Sequence, residues 1–257
     1  SVRIPHTCKE TPLHYFDEST YQMVSGYRRH LQVPKEWQGK RMLLTFEGAA
    51  HDSTVYCNGM KVGEHHCGYT AFTIDLSEAV NYGQDNVLCV RLDSRESLNV
   101  PPFGYVIDYM TYGGIYRDVY LDVKEEIAVK DLFVHTSPDL SPTPLSAQII
   151  SEITFYNVSE AALEKYRSKF LQLRQYFALK AESSAVPQWQ LLTQKNLSSE
   201  TVSAGSLFLQ STITDPKIWD TEQPNLYLLK TQICEGETVL DESETTFGIR
   251  EAVFRKD

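Results

Sequence analysis

The sequence predicts an all-β protein built as two β-sandwiches, and three observations lead to this prediction. Runs of strand-forming residues recur along the chain, with turn signals about every 8 to 12 residues. Asn58-Gly59 separates two such runs and is a strong hairpin signal, because both residues accept the positive φ of a two-residue turn. The length of 257 residues is long for one domain and suits two.

The clearest alternation of apolar and polar residues lies in the first half of the chain. Met42, Leu44 and Phe46 are apolar at every second position, and residues 72–76 repeat this pattern after the hairpin. Because successive side chains on a strand point to opposite faces, each run predicts a strand with one buried face. The predicted strands of this half are residues 27–33, 42–46, 53–57, 72–76, 87–93 and 119–123.

Residues 94–111 differ from the strands on either side of them. This stretch contains Pro101-Pro102 and several aromatic residues, and Gly113-Gly114 follows it. The composition predicts a long irregular loop. Long ordered loops in compact domains are often functional, so this loop is a candidate site.

The second half of the chain begins after a charged boundary at residues 124–128. Strand-forming runs then resume and continue almost to the end of the sequence. The predicted strands of this half are residues 131–136, 146–156, 189–193, 207–214, 227–233 and 245–249.

One segment of the second half has a helical period instead. No Gly or Pro interrupts residues 159–184, and the apolar residues there fall at steps of three and four. This pattern predicts an amphipathic helix of about five turns, inserted into the second sandwich and packed on its outside. The alternative is a strand through Leu171 and Leu173, which accounts for fewer of the apolar residues. Those on the predicted helical stripe are Leu163, Tyr166, Phe170, Leu173 and Phe177.

The charge of the chain bears on its partners. It has 24 Lys and Arg against 34 Asp and Glu, a net charge of −10, and no basic run is longer than two residues. Nucleic acids and anionic membranes require clustered basic residues, so we expect neither as a partner. No apolar run approaches the ~18 residues of a membrane span, and no signal peptide is visible. We expect a cytoplasmic location.

The five cysteines are odd in number and scattered, which does not suit a disulfide framework. A zinc site is a second hypothesis, because His65, His66 and Cys67 are adjacent and His51 and Cys57 are near in sequence. The spacing matches no pair-plus-pair ligand pattern, and adjacent strand residues point to opposite faces. We therefore predict no metal site and no cofactor in this chain.

Several separated blocks of the sequence resemble glycoside hydrolase family 2, which includes β-galactosidases, β-glucuronidases and β-mannosidases. The resemblance covers nearly the whole chain and is weakest over residues 140–200. It implies a jelly-roll sugar-binding domain at 1–125, an immunoglobulin-like β-sandwich at 126–250, and at 251–257 the start of a linker to a TIM barrel. The blocks are FEGA, VYCNG, KVGEH, GYTAF and DLSE within residues 46–78, YGGIYRDVYL at 112–121, IWDTEQPNLYLL at 218–229 and FGIRE at 247–251.

The resemblance also implies an activity for the parent enzyme. Family members are retaining exo-glycosidases that act on β-linked sugars, and their two catalytic glutamates lie on the barrel. We therefore expect no catalytic residue in this chain, which also lacks G-x-S-x-G, H-E-x-x-H and phosphate-loop motifs. The GGIYRDV block is closer to β-galactosidases than to β-glucuronidases. The implied partners are the sugar substrate, the barrel of the same protein and, for the full-length enzyme, further copies of itself.

Two substrate-binding residues are implied by the resemblance. One is Asn58, on the Asn-Gly hairpin, and the other is Asp108, separated by four residues from Gly113-Gly114. Amide and carboxylate groups suit this role because sugar hydroxyls both donate and accept hydrogen bonds. On the residues alone, Asn58 is a turn former and Asp108 a solvated loop acid. A sodium ion is implied near Asp108, with its other ligands on the barrel, and the cofactor implied for the full enzyme is sodium or magnesium. Aromatic residues that could present ring faces beside them are Phe103, Tyr105, Tyr109 and Tyr112.

Two other functions remain open on the sequence. The chain could be a free-standing carbohydrate-binding module, which would need a complete sugar platform and would bind glycans by itself. It could also be an interaction scaffold, which the predicted helix would suit. A reading frame that continues past Asp257 into a barrel would favour the glycosidase.

Overall fold

The all-β prediction is confirmed. The structure is a computed structural model that describes residues 1–10, 17–101, 110–141, 144–167, 169–180 and 186–252. The chain divides into two compact units, Ser1–Lys124 and Glu125–Asp257. Each unit is a β-sandwich with its own hydrophobic core, the first of the jelly-roll class and the second immunoglobulin-like.

The described residues of the first unit form seven strands in two antiparallel sheets. One sheet has the order β1-β6-β3-β4 and the other β5-β2-β7. Apolar residues from both sheets fill the space between them, with Met42, Phe46 and Leu92 almost completely buried. The strands are β1 (Val24–Val33), β2 (Arg41–Phe46), β3 (Asp52–Cys57), β4 (Met60–His66), β5 (Phe72–Asp75), β6 (Gln84–Asp93) and β7 (Val119–Lys124).

The predicted hairpin joins β3 to β4. Asn58 and Gly59 have φ values of 51° and 83°, the positive values that a two-residue hairpin turn requires. Cys57 and Met60 pair directly on either side of them. The hairpin prediction is therefore confirmed.

In the second unit, the part that the structure describes forms seven strands and two short α-helices. Its sheets have the orders β11-β10-β13-β14 and β12-β9-β8. Neither helix is long and apolar enough to cross a membrane, a finding that covers the described residues. The elements are β8 (Val129–Asp139), β9 (Ser146–Phe155), α1 (Glu160–Arg167), β10 (Leu171–Leu179), β11 (Gln190–Leu197), α2 (Ser199–Ser203), β12 (Ser206–Thr214), β13 (Tyr227–Glu235) and β14 (Thr238–Phe247).

The predicted five-turn helix is wrong in its length and in its packing. The helix α1 ends at Arg167, and Leu171–Leu179 forms β10, a strand between β11 and β13. Phe170, which was predicted on the docking stripe, is 61% exposed. The helix also contributes to the core of the second unit, because Ala162 and Tyr166 are buried there.

A buried polar residue explains why β10 has the sequence pattern of a helix. Leu171, Leu173 and Gln175 all point inward and are 4%, 0% and 1% exposed. Gln175 is accommodated because its Nε2 donates a hydrogen bond to Thr231 Oγ1 at 3.0 Å. A polar residue at an inward position breaks the apolar alternation, so the period of two is not visible in the sequence.

Candidate functional site

Two neighbouring cavities lie at the edge of the first unit where β3 begins. Their volumes are about 490 Å³ and about 100 Å³, and His51 borders both of them. The larger cavity is polar and carries several charged side chains, whereas the smaller one has an aromatic lining. The larger is lined by Gln22, His51, Asp52, Asp93, Arg95, Glu96, Ser97 and Val100, and the smaller by Ala50, His51, Gly68, Tyr69, Met110, Thr111, Tyr112 and Tyr116.

The pairing of β3 with β6 brings these residues together. The two strands are antiparallel, so the start of β3 lies beside the end of β6, with Asp52 opposite Asp93. The backbone N–H of His51 donates to the carbonyl oxygen of Asp93 at 3.2 Å. The segment that enters β3 and the segment that leaves β6 therefore share one edge of the sandwich.

The described flanks of the predicted long loop are anchored at this same edge. On one flank, the carbonyl oxygen of Pro101 accepts a hydrogen bond from Gly68 N at 2.9 Å. On the other flank, Met110 and Tyr112 line the smaller cavity. Tyr112 is 48% exposed, and its ring packs edge-on against Tyr21 with the centroids 5.1 Å apart.

The turn after the loop is tied to the segment before His51. Ala50 N donates to Gly114 O at 2.9 Å, so the two residues form an antiparallel bridge. Gly114 has a φ of 127°, and a Cβ at this position would lie 2.5 Å from the carbonyl oxygen of His6. The position therefore requires glycine both for its conformation and for the close approach of the amino-terminal segment.

His51 is the most unusual side chain of the site. It is only 2% exposed, and its imidazole makes no hydrogen bond to any other described residue. Burial lowers the pKa of His51, and the nearby carboxylates of Glu96 and Asp93 raise it by less. The imidazole is therefore neutral at pH 7 and has one donor and one acceptor nitrogen for a bound group.

A paired carboxylate lies beside His51 in the larger cavity. Arg95 Nε donates to Asp93 Oδ1 at 2.8 Å and Arg95 Nη2 to Asp93 Oδ2 at 2.6 Å, and Arg91 Nη2 adds a contact at 3.1 Å. The hydrogen bonds from Arg95 lower the pKa of Asp93 to about 2. Asp93 is thus held in its charged form and fixes the Arg95 side chain at the rim of the cavity.

The lowered pKa of Asp93 predicts a loss of stability in acid. A carboxylate with a depressed folded-state pKa stabilises the fold above its unfolded pKa, and this contribution disappears as pH falls toward the folded value. We expect the free energy of unfolding to lose about 1 to 2 kcal/mol from this group between about pH 4 and pH 2, allowing for the solvent exposure of Arg95. Urea unfolding at several pH values, compared between the parent and Asp93→Asn, measures this loss. The two proteins should converge at low pH. A constant difference, or the same convergence for the exposed control Glu222→Gln, would contradict the prediction.

Asn58 lies at the other end of β3, about 20 Å from His51 along a six-residue strand. Its side-chain nitrogen donates to Ala79 O at 2.9 Å and to Asn86 Oδ1 at 2.7 Å, and its side-chain oxygen accepts from Val87 N at 3.0 Å. These bonds hold the hairpin turn against β6 and the segment after β5. They account for the asparagine structurally, and its substrate-binding role stays a prediction.

Asp108 lies outside the described residues, as do Phe103, Tyr105 and Tyr109. The substrate-binding role of Asp108, the sodium ion expected near it, and the sodium or magnesium expected in the full enzyme therefore stay predictions. Within the part of the chain that the structure describes, no group of three or more His, Cys, Asp or Glu side chains could hold a metal ion. His65 and His66, which raised the zinc hypothesis, bond to Thr70 Oγ1 at 2.8 Å and to Asp52 Oδ1 at 2.9 Å.

The sequence prediction did not place His51, Asp93, Arg95 and Glu96 in one site. The residues come from two segments that are distant in sequence and meet only through the pairing of β3 with β6. One signal was available: His51 lies two residues before a predicted strand, and Arg95 and Glu96 lie two and three residues after another. Strand partners and their register are needed to turn that signal into a site.

Comparison with known proteins identifies the family. Residues 8–124 match the sequence model described as "Glycosyl hydrolases family 2, sugar binding domain", and residues 127–250 match the one described as "Glycosyl hydrolases family 2". Together the two matches cover both sandwiches and define a carbohydrate-active class of protein. The chain belongs to glycosyl hydrolase family 2.

Named relatives and solved structures agree with this assignment. The β-galactosidase of Thermoanaerobacter pseudethanolicus is 32% identical to this chain, in an alignment that covers all of the chain and 32% of that relative's length. A putative β-glucuronidase of Formosa agariphila is 28% identical, in an alignment that covers 99% of the chain and 28% of that relative's length. A crystal structure of a putative β-galactosidase from Bacteroides fragilis matches 98% of the chain and 36% of its own length, with a TM-score of 0.77 and 25% identity. The chain thus spans about a third of the length of these relatives.

Proposed function

We propose that this chain is a non-catalytic part of a retaining exo-glycosidase that acts on β-glycosides, most like a β-galactosidase. In this proposal it supplies a scaffold and one wall of the substrate pocket. The observation that carries the proposal is the buried, neutral imidazole of His51, unpartnered among the described residues, at a polar cavity of about 490 Å³. Such a group suits a sugar hydroxyl, because the imidazole N–H can donate to the hydroxyl oxygen or the unprotonated nitrogen can accept from the hydroxyl O–H.

Two further observations support the sugar class and the reaction. The cavity belongs to the unit that matches the family's sugar-binding domain. The relatives that match the whole chain at 32% and 33% identity are β-galactosidases, and those named β-glucuronidase that match it over a similar length are 28% and 23% identical. Hydrolysis with retention of the anomeric configuration requires two carboxyl groups about 5 to 5.5 Å apart. We assign these two groups to a barrel of the same protein.

The roles of the chain's own residues follow from their chemistry. His51 binds a hydroxyl of the sugar, and the ion pair of Asp93 with Arg95 keeps the rim of the cavity fixed. Asp108 adds charge-assisted hydrogen bonds to hydroxyl groups or binds the sodium or magnesium of the full enzyme. The proposal also includes a homo-oligomeric enzyme in the cytoplasm. The five cysteines of the chain are all free, as thiols are in a reducing compartment.

Kinetics of the barrel-containing enzyme test the proposal. We expect Asp108→Asn to lower kcat/KM for nitrophenyl β-galactoside by about ten- to a hundredfold, because hydrogen bonds to a charged group are worth about 1.5 to 3 kcal/mol. His51→Gln should lower it by about two- to tenfold, because a hydrogen bond of a neutral imidazole is worth about 0.5 to 1.5 kcal/mol. The matched control is Asp139→Asn, an exposed carboxyl at the end of β8 in the second unit. Melting curves separate a loss of binding from a loss of folding.

Two outcomes would contradict the proposal. One is an unchanged kcat/KM in both site variants of a folded enzyme. The other is turnover of the same substrate by the purified 257-residue chain alone, because positioning groups without a proton donor and a nucleophile should not hydrolyse it.

A further inference from the structure

A glycine in the interior of β1 has no structural explanation among the described residues of its own unit. Gly26 is the third residue of this ten-residue strand and lies opposite Arg91 of β6. Glycine weakens a strand, and in that position it usually marks a bulge, a special backbone conformation or a close approach of another group. Each of these three reasons can be tested at Gly26.

None of the three is present at Gly26. The pairing of β1 with β6 runs without a shift from Val24 opposite Asp93 to Val33 opposite Gln84, so the strand has no bulge there. Gly26 is not among the residues with positive φ, and no described atom lies within 4 Å of the position that a Cβ would occupy. Gly63 differs, because a Cβ there would meet Ile74 at 2.8 Å. What Gly26 provides is open space above the sheet.

This space is a groove of about 580 Å³ on the outer face of the sheet β1-β6-β3-β4. Strand alternation places the outward residues of three neighbouring strands around it, and Arg28, Cys89 and Tyr56 lie side by side in register. Adjacent strands are about 4.8 Å apart, so this row spans about 10 Å. The outward residues that line the groove are Val24, Gly26, Arg28, Tyr56, Cys89 and Arg91.

The groove carries positive charge in a chain whose net charge is −10. Arg28 is exposed and has no ion pair or hydrogen bond to another described residue. Arg91 is 44% exposed and donates only one hydrogen bond among the described side chains, to Asp93, which Arg95 also neutralises. The other ionisable side chains of this sheet face contact each other: Lys61 contacts Glu64, His66 contacts Asp52, and His30 contacts Asp85.

We propose that this groove is a second saccharide site, which binds an anionic oligosaccharide. Its carboxylate or sulfate ester is held by Arg28 and Arg91, because a guanidinium matches the geometry of either group with two parallel hydrogen bonds. A sugar ring lies over Gly26 with its apolar face toward Tyr56 and Cys89, where any larger residue at position 26 would block it. This site goes beyond the proposed function and does not depend on the barrel.

The experiment measures binding of defined oligosaccharides to the 257-residue chain by calorimetry and by ¹H–¹⁵N chemical-shift perturbation. The three probes are an oligogalacturonide, a sulfated galactan oligosaccharide and a neutral galactan oligosaccharide of equal length. We expect one or both anionic probes to bind, with shifts confined to residues of β1, β3 and β6 around Gly26, and the neutral probe to bind at least about tenfold more weakly. The two anionic arms separate carboxylate from sulfate recognition.

Two variants and a matched control make the test specific. Gly26→Val fills the groove with a residue that favours strands, so we expect binding to be lost while Tm stays the same or rises. Arg28→Gln should weaken binding by about tenfold or more. Arg29→Gln removes the same charge from the neighbouring exposed residue of β1, outside the groove, and should leave binding unchanged.

The proposal is overturned if neither anionic probe perturbs the groove, if the neutral probe binds equally well, or if Arg28→Gln and Arg29→Gln have the same effect. Unchanged binding by a folded Gly26→Val protein would also overturn it. If that variant fails to fold, the comparison of Arg28→Gln with Arg29→Gln decides. None of these outcomes bears on the kinetics of the His51 and Asp108 variants, so failure of this site is distinguishable from failure of the proposed function.

Discussion

Replacing Leu173 with alanine is expected to lower the free energy of unfolding by about 2 to 5 kcal/mol. Leu173 is completely buried, in a strand with a neighbour on each side, and its side chain is part of the core of the second unit. Truncation removes buried apolar contacts and leaves a cavity that a strand fixed by hydrogen bonds on both edges can close only in part. Urea denaturation followed by circular dichroism measures the loss.

Phe170 is the matched control for this prediction. If both residues lay on the buried stripe of a helix, truncating Phe170 or Leu173 would lower the free energy of unfolding by similar amounts. In the structure Phe170 is 61% exposed just before β10, so Phe170→Ala should change the free energy of unfolding by less than about 0.5 kcal/mol. Equal losses of the free energy of unfolding in Leu173→Ala and Phe170→Ala would support the predicted helix and contradict the assignment of β10 as a strand.

Replacing Gly114 with alanine is expected to lower the free energy of unfolding by about 2 to 5 kcal/mol, which is the second large effect. The substitution forces an L-residue into a φ of 127° and places a Cβ 2.5 Å from His6 O and 2.8 Å from the Tyr27 hydroxyl oxygen. The amino-terminal segment must then move away from the edge that holds the candidate site. Thermal and urea unfolding of the variant measure the cost.

Gly59 separates the two causes of that loss. It also has a positive φ, 83°, but no described atom lies within 4 Å of its Cβ position. Gly59→Ala therefore carries the conformational cost alone, about 1 to 2 kcal/mol. If Gly114→Ala cost no more than Gly59→Ala, the close approach of the amino-terminal segment would not be a source of the effect.

The sequence was most informative where structure is set locally. The Asn58-Gly59 turn was predictable because two adjacent residues determine it, and most strands because their alternation lies within a few residues. The strand β10 was not, because its pattern depends on Gln175 being satisfied by Thr231 of a distant strand. The apolar residues alone then fit a helical period better.

The candidate site shows the same limit more strongly. The resemblance to the family pointed to Asn58 and Asp108, two residues that motifs identify. The cavity around His51 depends on which strands pair and in what register, and on the burial that makes its imidazole neutral. No local pattern contains that information, so the polar cavity could be found only in the structure.

The anchoring of the loop flanks has a consequence for which substitutions this edge of the sandwich tolerates. Pro101 and Gly114 are held to Gly68 and Ala50 through backbone atoms, so the two attachments use no side-chain atom. The described residues 110–113 are constrained in another way, because Thr111 is buried and a Cβ on Gly113 would lie 2.5 Å from Ser94 Oγ. Substitutions at the half-exposed Tyr112 should therefore cost less free energy of unfolding than substitutions at Thr111 or Gly113.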